Sequence, residues 1–261
     1  MPETRIGTHP SDVNRLRMRG RSTLSEIVGQ VSFTEGFYFI VTGRSPTKAQ
    51  LRVLDACLLV LMDHGLTPSA LVARLVADSN PDDIQVPLAA GILMVGNRFA
   101  GTMVGAGRIL AEGMAHQGDK RAWADQLVQT FKQSKRRIPG FGHPDYKNAD
   151  PRADRLLDVA KDAGVTGNYI ELLKVLGQAV DADAKRRITL NVTGVLGAVL
   201  HEIEFPVDAM RSVAVVGRCA GLVGHIHEEQ KSPIVPDLLK FSESIEYVED
   251  SRAAAAAWPQ T

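Results

Sequence analysis

Residues 47–63 read TKAQLRVLDACLLVLMD. Leu51, Leu54, Leu58 and Leu61 recur at intervals of three and four, and Cys57 and Val60 widen the stripe. That rhythm gives a helix one apolar face, which has to be buried against a neighbour. Pro46 and Thr47 offer a start signal and Gly65 a stop. Outward from this segment, helical spacing predicts further helices over residues 87–99, 101–116, 120–132, 151–163, 168–184 and 207–229, and residues 191–201 are apolar and glycine-rich. Asp150 is an expected N-cap, with Pro151 at the first helical position. In the last helix Gly217, Gly221 and Gly224 predict close approach of another helix. Alternating β-branched runs are scarce and aromatics are only 5% of the chain, so the expected fold class is all-α.

The composition sets the outer bounds. The chain has 261 residues, 44% of them hydrophobic, and 30 basic side chains balance 30 acidic ones. A chain of this size buries enough surface to stand without a disulfide or metal staple. The balanced charge argues against nucleic acid as the main partner. Two cysteines, Cys57 and Cys219, exclude a disulfide framework and a CxxC site. No apolar run approaches the roughly 20 residues of a membrane span. The first 21 residues lack the apolar core of a secretory signal, so the expected compartment is the cytoplasm. Residues 1–20 read as an extended arm, 21–250 as the main domain and 251–261 as a tail. No internal repeat stands out.

Nucleotide and hydrolase motifs of the P-loop, GxGxxG and GxSxG types are absent. His225-x-His227-Glu228-Glu229 suggests a metal only weakly, because residues two apart on a helix face different sides. No metal is expected there. The strongest local signal is PGFGHPDYKNADPR, residues 139–152. Its prolines and glycines break the helical rhythm and make a loop. Glycines can present backbone N–H groups to a ligand. His143 is a natural hydrogen-bond donor to a carbonyl oxygen, and Arg152 can grip a carboxylate through two parallel bonds.

This segment resembles the GFGHxxYKNxDPRA signature of citrate synthases. LRVLDACLLVLMDHG, AAGILMVGNRFAG, ITLNVTGVLGAVL and VVGRCAGLVGHIHEEQK follow the order of family motifs. The resemblance spans roughly residues 21–248 and is nearest to the citryl-CoA lyase modules, including the lyase part of ATP-citrate lyase. It implies a citrate synthase-like helical fold, a large domain with a smaller helical subdomain at about 145–205. It also implies a homodimer or dimer of dimers, a CoA thioester as substrate, and no prosthetic group. The chemistry implied is making or breaking a carbon–carbon bond beside the thioester.

Carried across by motif, His143 matches the histidine that polarises or deprotonates the oxygen of the carbonyl or tertiary alcohol. His64 matches the histidine of the lyase DHG motif. Phe99 stands where synthases carry another histidine, a feature shared with the lyase modules. Arg152 and Arg218 match the arginines that bind the dicarboxylate, and Arg98 joins them as a substrate-binding candidate. Pro139, Gly140, Phe141 and Gly142 match the loop that receives CoA. Lys147 sits where a basic residue meets CoA phosphate, and Lys135, Arg136 and Arg137 add positive charge nearby.

The chain departs from the pattern at Thr193, which replaces the catalytic aspartate of NVDG. Threonine has no accessible ionisation and offers one donated hydrogen bond. Asp145 is a candidate substitute carboxylate. Pro144 replaces a common arginine, and Lys231 or Lys240 are candidates for the arginine expected after the HIHEEQ region. Three readings stay open: a lyase of citryl-CoA or a similar 3-hydroxyacyl-CoA carboxylate, a citrate or methylcitrate synthase, and a catalytically weakened binder of CoA esters.

Overall fold

The computed structural model describes residues 2–96 and 101–249. Arg98, Phe99 and the tail 251–261 therefore lie outside the described residues. The chain divides into two compact units. Unit 1 comprises residues 1–65 and 95–221, and unit 2 comprises 66–94 and 222–261. The helices between residues 145 and 205 pack within unit 1.

Unit 1 opens with an irregular segment of turns that folds back so that Gly7 bridges Met18. A short hairpin pairs β1 (Arg17–Met18) with β2 (Arg21–Ser22). Its turn places Arg19 and Gly20 at φ 50° and 85°, the paired positive dihedrals that a two-residue hairpin needs. Arg19 then donates to the Ile40 and Val41 carbonyls at 3.0 and 3.1 Å, satisfying the end of α1 (Phe33–Thr42). A single π-helical turn, Thr23–Ile27, lies between.

The decisive stripe forms α2 (Lys48–Met62). Thr47 and Gln50 close a capping box at its start, each side chain taking the other's backbone N–H. Val53, Leu54, Cys57 and Leu58 are the buried face. Helix α5 (Gly101–Ala115), α6 (Lys120–Gln133), α7 (Pro151–Asp162), α8 (Asn168–Ala184) and α9 (Val192–Glu202) complete most of the unit. Helix α9 is its centre: Val192 and every residue from Gly194 to Leu200 are buried, packed among α5, α7 and α8. A Cβ on Gly197 would stand 2.8 Å from the Gly107 nitrogen, so glycine permits the closeness of α5 and α9.

Unit 2 holds α3 (Pro68–Ser79), α4 (Gln85–Leu93), the end of α10 (Met210–Glu229) and α11 (Val235–Glu243). Its small core joins Ala70, Ala73, Ala77, Leu222 and Ile226. In α10, Gly217 and Gly221 pack against carbonyls of α2 as the stripe predicted. Gly224 meets nothing within 4 Å and does not extend that contact. Helices α1, α3 and α11 were not foreseen. Two of them carry a proline in the first turn, Pro68 in α3 and Pro236 in α11.

Candidate active site

Residues 139–150 form a loop in the structure, and Pro151 and Arg152 open α7. The loop is pinned along its first half to the chain just before α9. Phe141 bridges Leu190, Gly142 N–H donates to the Thr189 carbonyl at 2.7 Å, and Asn191 N–H donates to the Gly140 carbonyl at 3.0 Å. Gly140 has φ 93° and is buried against α9; a Cβ there would lie 2.7 Å from the Gly194 Cα. Phe141 N–H donates to the Ile138 carbonyl. The N–H of Gly142, one of the glycines expected to present donors to a ligand, is thus engaged within the protein, as is that of Phe141.

The loop delivers His143, and Asp150 ends it by capping α7. Asp150 is 1% exposed. Its carboxylate accepts from Arg152 Nε and Nη2, both at 2.9 Å, from Arg152 N–H at 3.1 Å and from Val192 N–H at 2.9 Å. Burial opposes the charge, but these bonds prevail and hold the carboxyl below its usual range. One buried anion therefore caps α7, ties it to α9 and fixes the Arg152 guanidinium.

That guanidinium meets both predicted histidines. Arg152 Nη1 lies 3.3 Å from His64 Nδ1, and Nη2 lies 3.3 Å from His143 Nε2. His64 stands at the exposed end of α2, just past Asp63. Partial burial lowers its pKa first, and the charges of Arg152 and Arg218 lower it further. His143 is lowered by burial and then by Arg152, against the opposing pull of Asp150 and Asp145. Both imidazoles are held neutral at neutral pH.

The hydrogen bonds assign where the protons sit. His143 Nδ1 accepts backbone N–H from Asp145 and Tyr146, each at 3.1 Å, so its proton is on Nε2. His143 Nε2–H and Arg152 Nη2–H are then two donors 3.3 Å apart, an arrangement satisfied by an oxygen between them. Of the two roles expected for His143, this tautomer suits polarising an oxygen rather than removing a proton. By the same logic Arg152 donates to His64 Nδ1, leaving His64 Nε2–H as a donor.

The other candidates divide. Arg218 belongs to the same electrostatic neighbourhood, since it acts on His64, and its Nε donates to the Leu61 carbonyl at 3.3 Å. Lys147 is exposed, near enough that its charge lowers the His143 pKa. Asp145 is exposed, with its carboxylate 3.8 Å from His143 Nδ1. Thr193 donates its hydroxyl to Asn191 Oδ1 at 2.7 Å, and Asn191 Nδ2 holds the Gly142 carbonyl at 2.7 Å. Thr193 is thus coupled to the residue before His143 through Asn191. Arg98 lies outside the described residues.

Three contributors escaped the sequence reading: Asp150 beyond its cap, Asn191 and Tyr146. The Tyr146 ring lies 4.5 Å from the His143 ring at 32°, and the Arg152 guanidinium sits 5.1 Å from the same ring. The signal for Tyr146 was its position three residues after His143 inside the loop motif. No metal-binding group of three or more His, Cys, Asp or Glu exists among the described residues. Glu228 and Glu229 instead bind the buried Arg74.

Comparison with known proteins follows this geometry. Residues 14–236 match the family model for the citrate synthase C-terminal domain. The structure of citryl-CoA lyase from Hydrogenobacter thermophilus is similar at a TM-score of 0.85 and 30% identity, covering 96% of this chain and 95% of that one. An ATP citrate lyase of Methanosaeta concilii, a D541A mutant in complex with (3S)-citryl-CoA, shares the fold at a TM-score of 0.73 and 20% identity, over 97% of this chain and 42% of its own. A citrate synthase of Synechocystis sp. is 27% identical over 207 residues, 77% of this chain and 50% of that protein. The chain thus spans about half the length of the citrate synthases it matches and less of the ATP citrate lyases.

Proposed function

The chain belongs to the citrate synthase family, and from that premise we propose that it is a carbon–carbon lyase of CoA thioesters. Its substrate is citryl-CoA or a similar 3-hydroxyacyl-CoA carboxylate. In the cleavage, the tertiary alcohol passes its proton to solvent water and its oxygen becomes the carbonyl of a 2-oxo acid such as oxaloacetate. The electron pair of the broken bond passes to the thioester as an enolate, which takes a proton from solvent water at carbon and leaves as acyl-CoA. His143 Nε2–H and Arg152 Nη2 hold the oxygen as charge builds on it. His64 Nε2–H serves the enolate oxygen, and Arg152 and Arg218 meet the substrate carboxylates.

The observation that carries this reading is the single guanidinium of Arg152, fixed by a buried aspartate and 3.3 Å from each of two neutral histidines. Support for the lyase direction comes from the citryl-CoA lyase likeness and from Phe99, which removes a synthase histidine. The protein works in the cytoplasm as a homodimer or dimer of dimers, which light scattering tests directly. The deciding experiment is incubation with (3S)-citryl-CoA, following oxaloacetate and acetyl-CoA. His143→Asn should lower kcat by about 100-fold or more. Equal rates in wild type and variant would overturn the proposal.

Thr193 favours a second reading, a homologue that binds CoA esters with weakened catalysis, because its hydroxyl is committed to Asn191. Retained CoA binding with no cleavage or condensation would select it. Under the lyase reading, Thr193→Asp restores a carboxylate and should speed solvent-deuterium exchange into the acetyl-CoA methyl group.

A further inference from the structure

Ile188, Thr189 and Leu190 lead from the end of α8 into α9. Ile188 and Leu190 pack on apolar clusters. Thr189 between them is buried, at 3% exposure. A buried hydroxyl needs a hydrogen-bond partner, and valine would fill the same space without that demand.

Thr189 reaches both sides of His143. Its carbonyl accepts the N–H of Gly142, the residue before the histidine, at 2.7 Å. Its hydroxyl donates to the Tyr146 carbonyl at 2.9 Å and to the Lys147 carbonyl at 2.7 Å, on the far side. The two halves of the loop are held unequally. The first half has the Phe141–Leu190 bridge, and Asn191 binds the carbonyls of Gly140 and Gly142. The second half has far less. Residues 144, 145 and 147–149 are exposed, so packing restrains them little. From His143 to Ala149 the Thr189 hydroxyl makes the only hydrogen bonds, among the described residues, that tie the loop backbone to another segment. The remaining backbone bonds there are internal, the N–H groups of Asp145 and Tyr146 on His143 Nδ1.

Those internal bonds decide the chemistry of the histidine. His143 donates through Nε2–H while Nδ1 is an acceptor, and Nδ1 is an acceptor while the two N–H groups face it. One of the carbonyls that Thr189 grips belongs to Tyr146 itself, and the other to the next residue. We propose that Thr189 is a positioning residue for His143, its hydroxyl locking the turn that keeps the imidazole donor on Nε2 beside Arg152. This rests on the reading of His143 as the group that polarises the substrate oxygen. Thr189 touches no reacting atom and acts through the loop backbone alone.

The test compares wild type with Thr189→Val, which removes the hydroxyl and keeps the volume, and with Thr189→Ser, which keeps the hydroxyl. Two readouts need no turnover: nitrogen-15 NMR of the neutral His143 ring, and hydrogen exchange at Asp145 and Tyr146. Wild type and Thr189→Ser should show the Nε2–H tautomer alone. Thr189→Val should show both tautomers and exchange the two amides about tenfold faster, with the amides inside α8 and α9 unchanged. On (3S)-citryl-CoA, Thr189→Val should lower kcat about tenfold and leave KM within about twofold, and Thr189→Ser should rescue most of the loss. Should the valine variant not fold, Thr189→Ala set against Thr189→Ser makes the same comparison. A single tautomer with unchanged exchange in Thr189→Val, or an equal loss in Thr189→Ser, overturns the proposal. If the wild type cleaves no CoA thioester, the lyase reading falls, and the NMR and exchange measurements still decide the role of Thr189.

Discussion

Tyr146 shows how much one residue can set at the site. Its backbone N–H fixes the His143 tautomer, its ring lies against the imidazole, and its carbonyl accepts from Thr189 at 2.9 Å. Tyr146→Phe keeps all three features and should leave kcat within about twofold. Tyr146→Leu removes the ring and with it the cation–π contact to Arg152, worth about 1 kcal/mol. It should lower kcat more than it raises KM and shift the His143 resonance in a pH titration; an unchanged titration would show the ring to be packing alone. Thr193→Val tests the neighbouring hydroxyl. Asn191 Oδ1 keeps its backbone donors from Thr193 and Gly194, so the variant should lose about 1 kcal/mol of stability in urea unfolding.

At the scale of elements, the loop and α9 depend on each other. Gly140 and Gly194 approach so closely that neither tolerates a side chain, and Gly140 also has a positive φ. Gly140→Ala should therefore cost at least about 1–2 kcal/mol and lower kcat through His143, with Gly142→Ala, which meets no atom within 4 Å, as the strained but unclashing comparison. Asp150 couples α7 to α9 through Val192. Asp150→Asn keeps the cap, yet it leaves the partly covered Arg152 cation without its counter-charge. Removing one partner of a buried pair costs about 3 kcal/mol. Arg152 should then lose its fixed position, seen as a large rise in KM for the carboxylate substrate.

For the whole molecule, pH is the common variable. His64, His143 and His201 all have pKa values lowered from 6.5, chiefly by burial. Below that value the unfolded chain takes up protons that the folded chain resists. Stability is therefore full above about pH 6.5 and falls as pH drops toward the folded values. The melting temperature should decline from pH 6.5 to pH 5. His201→Gln keeps a donor for the Gly107 carbonyl and should flatten the decline. The acid limb of kcat/KM should also lie below 6.5. Unit 2 has its own buried pair, Arg74 and Glu229, 3% and 2% exposed. Glu229 also takes the N–H groups of Ile234 and Val235 at the start of α11. Glu229→Gln should melt α11 and the end of α10 first, seen as lost hydrogen-exchange protection there.

The sequence by itself determined the helices whose apolar spacing is long and capped, with α2 and its Thr47 cap the clearest, and the loop that breaks them at 139–150. It also pointed to His143 and Arg152 through their side-chain chemistry in a glycine-rich loop, and to His64 through the family resemblance. Only the tertiary structure decided that one guanidinium stands between the two imidazoles, that Nδ1 of His143 is an acceptor, and that Asp150 is the buried anion anchoring them. It also decided that Glu228 and Glu229 pair with Arg74. Each of these depends on distances between residues far apart in sequence, and periodicity carries no information about which faces meet.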